Sequence, residues 1–248
     1  MSGYENFAKY YDVLTGNVDY PGRARYFSGL IKKHCRRKCE ILLDLACGTG
    51  SLSARFLALG YDVIGVDSSP AMLSLAAEKC DGTGALFLCQ KMQNLDLYGT
   101  VDGCVCALDS LNHLPDYQSL LETFKKVALF LAPGGVFLFD VNTPYKHLHI
   151  LWDNTFVIEQ DNLLCLWRNG LRDDGSVDIR LDFFERQKGG NYKRSSEEFC
   201  ERLFLDKELK TALEASGFEL LAIYGEDSLS PPKEDSQRTV WVAVRINS

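Results

Sequence analysis

Two aspartates, with a turn of small residues between them, carry the clearest chemical signal in this chain. Residues 41–50 read Ile-Leu-Leu-Asp-Leu-Ala-Cys-Gly-Thr-Gly, which indicates a buried strand bearing Asp44 that runs into a tight turn before a helix. The backbone N–H groups of such a turn meet nucleotide-like ligands. Asp67 ends the next apolar segment, where its carboxylate can accept hydrogen bonds from both hydroxyls of a ribose. The pattern therefore predicts a site for an adenosine-like ligand.

Four hypotheses compete for what this turn holds. A phosphate-binding P-loop requires a lysine that the turn lacks, and a dinucleotide-binding loop requires a third glycine where this chain has Ser53. The ribose contact of Asp67 does not by itself separate NAD from S-adenosylmethionine. A carboxylate at Asp44 would repel a diphosphate, but it suits the ammonium and sulfonium groups of S-adenosylmethionine. The fourth hypothesis is a helix start that binds no ligand.

The pattern around the turn predicts an α/β fold. Near-continuous apolar strands alternate with helices up to residue 141, which indicates a parallel sheet covered by helices on both faces. We expect the last strand to form a hairpin with its predecessor and to enter the sheet antiparallel. The predicted elements are strand 41–46, helix 51–59, strand 62–67, helix 70–79, strand 85–89, strand 101–107, helix 117–131, strand 136–141, helix 207–216, strand 218–224 and strand 239–246.

The α/β alternation is interrupted between residues 142 and 205. Residues 177–183 alternate between apolar and polar side chains, and turn signals at 173–175 and 189–191 flank them. Neighbouring strands are predicted at 163–168 and 198–203. The segment therefore reads as an inserted antiparallel sheet.

The N-terminal segment is rich in aromatic residues and is predicted to form two helices separated by residues 17–22. One interpretation is a helix packed on the sheet, and the other is a lid whose tyrosines, including Tyr11 and Tyr20, close over a ligand. The aromatic residues concerned are Tyr4, Phe7, Tyr10, Tyr11, Tyr20, Tyr26 and Phe27.

Four motifs occur in a fixed order along the chain. They are Asp44-Leu-Ala-Cys-Gly-Thr-Gly50, Gly65-Val-Asp67-Ser-Ser-Pro-Ala-Met72, Leu108-Asp109-Ser-Leu-Asn112 and Leu131-Ala-Pro-Gly-Gly-Val-Phe-Leu-Phe-Asp140. Together they resemble the class I S-adenosylmethionine-dependent methyltransferases over roughly residues 40–141. The resemblance implies a Rossmann-like three-layer sandwich with a seven-stranded, mostly parallel sheet. The inserted sheet and the tyrosine-rich start look like the branch that methylates small molecules and sugar nitrogens.

The resemblance also implies where the cofactor S-adenosyl-L-methionine would bind. Its methionine portion would contact Asp44 and the turn, its ribose Asp67, and its adenine the residues after the third strand. Lys91 departs from the family, which usually has an acidic residue there to accept from the adenine amine. Either Gln90 or Gln93 replaces that contact, or the cofactor binds more weakly. The alternative for Met72 and Met92 is plain core filling. The implied cofactor-binding residues are Tyr11, Tyr20, Asp44, Ala46, Cys47, Gly48, Gly50, Asp67, Ser68, Met72, Met92, Gln93 and Leu108.

Methyl transfer needs little chemistry from side chains, because the sulfonium leaving group requires no proton and alignment supplies most of the rate. A general base is required only when the acceptor arrives protonated. Asp109, Asn112 and His113 are predicted to lie near the transferred methyl group, with Asp109 and His113 as the catalytic candidates. His113 is the candidate base, and a structural histidine is the alternative. The acceptor site is predicted to include Asn112, Tyr145, Trp167 and Arg168, and His147 also lies after the fifth strand.

Composition narrows the acceptor and the setting. The net charge of −7 argues against a nucleic-acid substrate, and neither the Pro-Pro-aromatic motif of base-amine methylases nor a Pro-Cys nucleophile is present where those enzymes carry it. The spacing of the nine cysteines indicates free thiols, without a metal site. We expect a cytoplasmic protein without a membrane segment, either a monomer or a homodimer.

The sequence thus predicts a methyltransferase that acts on a small molecule by in-line displacement. The alternatives are a protein of the same fold that binds the cofactor without transferring a methyl group, and an NAD-dependent oxidoreductase. The predicted organisation is an N-terminal helical lid at 1–39, a cofactor-binding domain at 40–141 and 204–248, and an inserted substrate or lid subdomain at 142–203.

Overall fold

The main body is one seven-stranded sheet with the order β10-β11-β5-β4-β1-β2-β3. The computed structural model describes residues 5–160 and 162–246. β11 runs antiparallel to both of its neighbours, and the other pairings are parallel, which confirms the predicted Rossmann-like sheet. Its strands are Ile41–Leu45 (β1), Asp62–Asp67 (β2), Leu86–Cys89 (β3), Val101–Cys106 (β4), Leu131–Asn142 (β5), Phe218–Gly225 (β10) and Arg238–Arg245 (β11).

Helices cover both faces of this sheet because successive strand residues point to opposite sides. Leu42 contributes to the core beneath α2 and α3, whereas Leu43 contributes to the core beneath α5 and α6. The strands therefore read as continuous apolar runs in sequence. The helices are Glu5–Leu14 (α1), Tyr20–His34 (α2), Ser51–Ala58 (α3), Pro70–Lys79 (α4), Tyr117–Phe130 (α5) and Asp206–Ala215 (α6).

Local sequence signals set the start of α4. Ser69 caps α4 by accepting from the Met72 N–H at 3.4 Å, with Pro70 in the first turn. The helix predicted at 207–216 begins and ends one residue earlier, at Asp206–Ala215, and Leu205 precedes it. No helix in the described ranges is long and apolar enough to cross a bilayer.

The inserted segment forms a separate four-stranded antiparallel sheet in the order β6-β7-β8-β9. The hairpin turns at 173–175 and 189–191 are confirmed, but β6 was not predicted, and β9 begins and ends earlier than the predicted strand 198–203. A π-helical turn, Lys146–Leu151, links β5 to this sheet. Its strands are Thr155–Gln160 (β6), Leu163–Leu171 (β7), Val177–Arg186 (β8) and Tyr192–Glu201 (β9).

The two N-terminal helices have different neighbours. Phe27 on α2 is fully buried in the core of the main sheet. Tyr10 on α1 instead stacks on Phe183 of the inserted sheet, with ring centroids 4.7 Å apart. The packing interpretation therefore holds for α2, while α1 lies between the inserted sheet and the glycine turn. Tyr4 lies outside the described residues.

Candidate active site

The turn after β1 requires an unusual backbone. Ala46, Gly48 and Gly50 have φ values of 61°, 54° and 73°, all in the left-handed region that disfavours side chains. Gly50 is further constrained by space, because a Cβ there would lie 2.8 Å from the Cβ of Ala76 on α4. Glycine thus lets the turn pass against α4 and present its backbone at the carboxyl edge of the sheet.

Asp67, at the end of β2, is bound to the same turn. One carboxylate oxygen accepts from the Gly48 N–H at 3.0 Å, and the other accepts from the Ser69 N–H at 2.9 Å. Each oxygen has a second lone pair available for a ligand hydroxyl. Burial raises the pKa of Asp67, and the two backbone hydrogen bonds oppose that rise. The carboxylate is held in place before any ligand binds.

Asp44 lies in a less polar setting. Its side chain is buried and accepts one hydrogen bond, from the Ser53 hydroxyl at 2.5 Å. Burial raises its pKa to about 6. A buried carboxylate with a single neutral donor is poorly compensated, so a cation beside it would be strongly favoured.

Two adjoining clefts open at this edge and share Ala46. The first cleft is narrow, with a cavity volume of about 20 Å³, and the second has about 300 Å³, the lower end of the range typical of small-molecule sites. The first is lined by Tyr11, Tyr20, Asp44, Ala46, Cys47, Thr49, Ser51, Leu52, Ala107, Leu108 and Ser110. The second is lined by Ala46, Val66, Asp67, Ser68, Gln90, Lys91, Met92, Gln93, His113, Leu114 and Pro115.

The first cleft contains an unsatisfied donor. The Tyr20 hydroxyl is buried and has no hydrogen-bond partner among the described residues, and the nearby Thr15 hydroxyl donates to the Tyr11 carbonyl. An unpaired buried hydroxyl costs free energy until a ligand satisfies it. An unpaired hydroxyl close to a poorly compensated carboxylate suits a ligand with both a carboxylate and an ammonium, as in an α-amino acid.

The second cleft brings Met92 and Gln93 beside Asp67 and Ser68. The Gln90 amide is already engaged, since it donates to the Asp96 carbonyl and accepts from the Asp96 N–H. Gln93 is therefore the better placed of the two glutamines to contact an adenine. Sequence reasoning missed Leu114 and Pro115, which follow the turn after β4 and carry no motif.

Met72 is placed differently from the other predicted cofactor residues. It is buried on α4 and lines neither cleft. The core-filling alternative fits its position, whereas Met92 both lines the second cleft and packs against the main core.

The turn after β4 faces the turn after β1. Leu108 and Asp109 have φ values of 58° and 51°, and their N–H groups both donate to the Asp140 carboxylate, at 3.0 and 2.6 Å. Asp140 is fully buried and is balanced by Arg23 at 3.1 Å and Arg238 at 3.6 Å. Two buried arginines thus hold the carboxylate that shapes this turn.

Asp109 is a weak proton acceptor in this setting. Its carboxylate pairs with Arg238 and accepts from the Asn142 amide at 3.1 Å. Burial raises the pKa of Asp109, but the charges of Arg238 and Lys146 and the Asn142 hydrogen bond act together against it, and the pKa is lowered to about 2. Asp109 is therefore suited to hold a positive charge, and general-base chemistry falls to another group.

His113 and Asn112 lie in the same turn but have different environments. His113 lines the second cleft, and its ring centroid is 5.2 Å from that of Phe199 on β9. The Asn112 amide is bound to backbone at both ends, donating to the Arg202 carbonyl at 2.8 Å and accepting from the Asn142 N–H at 3.0 Å. Asn112 thereby ties the turn to β5 and to the end of the inserted sheet.

The remaining predicted acceptor residues line neither cleft. Arg168 pairs with Asp182 within the inserted sheet, and Trp167 donates to Asn169 at 2.7 Å. Tyr145 precedes the π-helical turn, with its ring centroid 4.9 Å from that of His149. None of these three residues lines a cleft with Leu108 or His113.

Comparison with known proteins places the chain among methyltransferases. The methyltransferase domain family matches residues 42–135. A Bacillus subtilis (strain 168) protein described as a methyltransferase is 32% identical over 243 residues, which cover 97% of this chain and 96% of that protein. A crystal structure of a S-adenosylmethionine-dependent methyltransferase from Clostridium acetobutylicum ATCC 824 has 30% sequence identity and a TM-score of 0.88, covering 98% of this chain and 99% of that chain.

A partial relative has a more specific name. A glycine/sarcosine N-methyltransferase from Parasynechococcus marenigrum (strain WH8102) is 29% identical over 144 residues. The alignment covers 55% of this chain and 49% of that protein.

Proposed function

Because this chain belongs to the class I S-adenosylmethionine-dependent methyltransferases, we propose that it transfers the cofactor's methyl group to a small-molecule acceptor. The observation that carries the proposal is the aromatic roof over the acceptor side. This roof consists of Phe199 of the inserted sheet, whose ring centroid lies 5.2 Å from that of His113, and Phe7 of α1. The ring centroid of Phe7 lies 5.8 Å from that of Phe199 and 5.3 Å from that of Tyr11. A roof built from two elements favours an enclosed small acceptor over a polymer, which would need an open groove.

Two further observations support a small acceptor. The chain carries a net charge of −7, which disfavours a polyanionic substrate. The partial relative named above acts on glycine and sarcosine by its name. We propose the division into 1–39 as lid, 40–141 with 204–248 as cofactor domain, and 142–203 as the wall of the acceptor site.

The cofactor residues follow from the two clefts. Asp44 and the Tyr20 hydroxyl would hold the amino-acid end in the first cleft, where Tyr11 would close over it. Asp67 would bind the ribose, with Met92 and Gln93 at the adenine in the second cleft. The cofactor supplies an electrophilic methyl group on a sulfonium, and the backbone of 46–48 and 108 would fix its direction. With the three parts of the cofactor in these positions, the side beneath Phe199 would remain for the acceptor to approach the methyl group.

The proposal is tested by incubating the protein and cofactor with a library of small molecules and measuring S-adenosylhomocysteine. We expect product with at least one class of acceptor, at a rate well above that of cofactor alone. A protein that binds S-adenosylmethionine yet forms no S-adenosylhomocysteine with any small acceptor, while methylating added RNA or protein, would overturn it.

A further inference from the structure

Three titratable side chains meet where the end of the inserted sheet approaches the turn after β4. One side-chain oxygen of Asp109, one of Glu201 and a ring nitrogen of His113 all lie within 4.8 Å of one another. His113 lines the second cleft, and Leu108 and Ser110, which flank Asp109, line the first. Glu201, the last residue of β9, therefore lies directly behind His113, a residue that lines the second cleft, although Glu201 lines neither cleft itself.

A buried histidine lies behind Glu201. The Nε2 atom of His147 is 4.0 Å from the Oε2 atom of Glu201 and has no hydrogen-bond partner within residues 5–160 and 162–246. His147 is 0% exposed and Glu201 is 3% exposed. An unpartnered ring nitrogen that points at a buried carboxylate is rare and calls for a physical cause.

The hydrogen bond of the other ring nitrogen of His147 shows which nitrogen carries the proton. His147 Nδ1 lies 3.0 Å from the Gly175 carbonyl, which can only accept, so Nδ1 carries a proton. In neutral His147 the Nε2 lone pair would then face the Glu201 carboxylate, and the two would repel. At 4.0 Å the two atoms are too far apart for a hydrogen bond, but a proton on either one replaces the repulsion with an attraction that draws them together. The pair therefore binds a proton more tightly than an ordinary glutamate.

Charged side chains from three parts of the fold surround the Glu201–His147 pair. Asp109 and His113 approach Glu201 from the turn after β4, Lys146 from the π-helical turn and Arg238 from β11. The Asn142 amide donates to both Asp109 and Glu201, at 3.1 and 2.8 Å, and accepts from Lys146 at 2.9 Å. Burial and Asp109 raise the pKa of Glu201, and burial lowers the pKa of His147.

This arrangement suits an acceptor that arrives as a cation. Asp109 stays ionised beside Arg238 and can hold a positive charge, while the Glu201–His147 pair can take a proton. A protonated amine needs both functions, because its nitrogen has no lone pair until a proton leaves. An alcohol would need a much stronger base.

We propose that Glu201, backed by His147, accepts the proton of an amine acceptor, and that this enzyme is an N-methyltransferase. The inference rests on the proposed methyl transfer to a small molecule. The ammonium N–H bond breaks and its proton passes to Glu201, shared with His147. The freed nitrogen lone pair forms the N–C bond while the C–S bond breaks, and S-adenosylhomocysteine leaves with the bonding electrons. Glu201 touches the acceptor, whereas His147 is a positioning residue.

The proton-sharing pair can be tested without knowing the acceptor. Protein labelled with ¹⁵N in its histidines and saturated with S-adenosylhomocysteine is titrated by NMR, as wild type and as Glu201→Gln. We expect the Nε2 shift of His147 to change with pH in the wild type and to stay that of an unprotonated nitrogen in Glu201→Gln. The same Nε2 titration in both proteins would overturn the pair.

The role in turnover is tested with primary and secondary amines, glycine and sarcosine among them, and with alcohols and thiols of similar size. In Glu201→Gln we expect kcat/KM for the amine to fall about 100-fold, with S-adenosylmethionine affinity unchanged within about twofold. The wild-type rate should fall as the pH is lowered through the pKa of Glu201, and Glu201→Gln should lack that fall. Glu198→Gln, at the exposed ion pair with Arg180, is the control.

If Glu201→Gln does not fold, a variant of His147 tests the same pair. His147→Asn retains a donor to the Gly175 carbonyl but removes Nε2, so the acidic limb of the rate profile should move to lower pH. His149→Asn, on the exposed side of the same turn, should leave the limb in place.

The outcomes separate this inference from the proposed function. Methylation of alcohols or thiols without amines would overturn the amine class but leave small-molecule methylation standing. Methylation of an amine with an unchanged pH profile in Glu201→Gln would overturn the role of Glu201. Absence of S-adenosylhomocysteine with every small acceptor would overturn the proposed function, and the NMR titration would still decide whether the pair exists.

Discussion

Asp44 and Asp67 lie at the carboxyl ends of neighbouring parallel strands, yet their carboxylates lie in different electrostatic settings. Asp67 accepts two backbone N–H groups, whereas Asp44 is buried with a single hydroxyl donor. The first setting fixes an acceptor for neutral ribose hydroxyls, and the second stores an uncompensated charge that favours a cation. The positions of both residues were predictable from the strand pattern, but the difference between them depends on tertiary burial.

Replacing Asp67 with alanine should remove most cofactor binding. The ribose would lose two charge-assisted hydrogen bonds, so we expect affinity to fall by about 2–3 kcal/mol, or about 30- to 150-fold. Isothermal titration calorimetry with S-adenosylmethionine measures this directly. Asp62→Ala, at the exposed opposite end of β2, should bind as the wild type does. Equal affinity in Asp67→Ala would mean that the ribose lies elsewhere.

Cofactor affinity should depend on pH through Asp44. Its pKa of about 6 in the ligand-free protein means that the carboxyl holds a proton at pH 5, which must leave before an ammonium can pair with it. Affinity should therefore be constant well above pH 6 and fall by up to about tenfold per pH unit below it. The same shift makes the contribution of Asp44 to the unfolding free energy of the ligand-free protein decrease as the pH rises from about 4 to 6.

Calorimetry at pH values from 5 to 8 provides the measurement for Asp44. Asp44→Asn should bind weakly at every pH and show no step near pH 6, since the amide does not titrate. A wild-type affinity that stays level down to pH 5 would contradict the assignment of the ammonium to Asp44.

At the scale of the elements, α1 is attached to the glycine turn by a polar latch. Asp12 accepts from the Thr49 hydroxyl at 2.6 Å and pairs with Lys79 at 2.9 Å. The Lys79 ammonium also donates to the hydroxyls of Thr49 and Ser51. Because Tyr11 precedes Asp12 on α1, the latch holds the tyrosine at the first cleft. The aromatic bias suggested a lid, but no sequence pattern indicated that Lys79, at the end of α4, would fasten it.

Removing the Asp12 side chain should speed the release of the cofactor and have only a small effect on the unfolding free energy. Exposed polar pairs contribute at most about 1 kcal/mol each, so Asp12→Ala should raise the dissociation rate of S-adenosylmethionine about 3- to 10-fold. Stopped-flow fluorescence measures that rate. Glu78→Ala makes the same charge change on the exposed side of α4 and should have no effect. Dissociation as slow in Asp12→Ala as in the wild type would show that α1 does not gate the cleft.

The contact between the glycine turn and α4 can be tested at the same scale. A side chain at Gly50 would combine a positive φ with a Cβ 2.8 Å from Ala76, whereas Gly60 has a positive φ but open space around it. We expect Gly50→Ala to lower the unfolding free energy by about 3 kcal/mol and to weaken cofactor binding. Gly60→Ala should cost about 1 kcal/mol and bind normally. Equal losses of stability in urea titrations would contradict the close packing.

At the scale of the whole molecule, the main sheet was predictable because its strands are short apolar runs between strong helix signals. The inserted sheet was predictable only in part. Its β6 carries an exposed Val157 and none of its six residues is buried, so its alternation gives a weak signal. The closeness of Glu201 to His147 and Asp109 was not predictable, because it depends on how the inserted sheet docks on the main one.

The central claim is that the methyl group leaves the cofactor for a small molecule. The most direct measurement follows an isotopic label from the methyl group of S-adenosylmethionine into three separated fractions: a small-molecule extract, RNA and protein. We predict label in the small-molecule fraction, matched one to one by S-adenosylhomocysteine, and loss of both in Asp67→Ala. Label confined to RNA or protein, with none in the small-molecule fraction, would contradict the account.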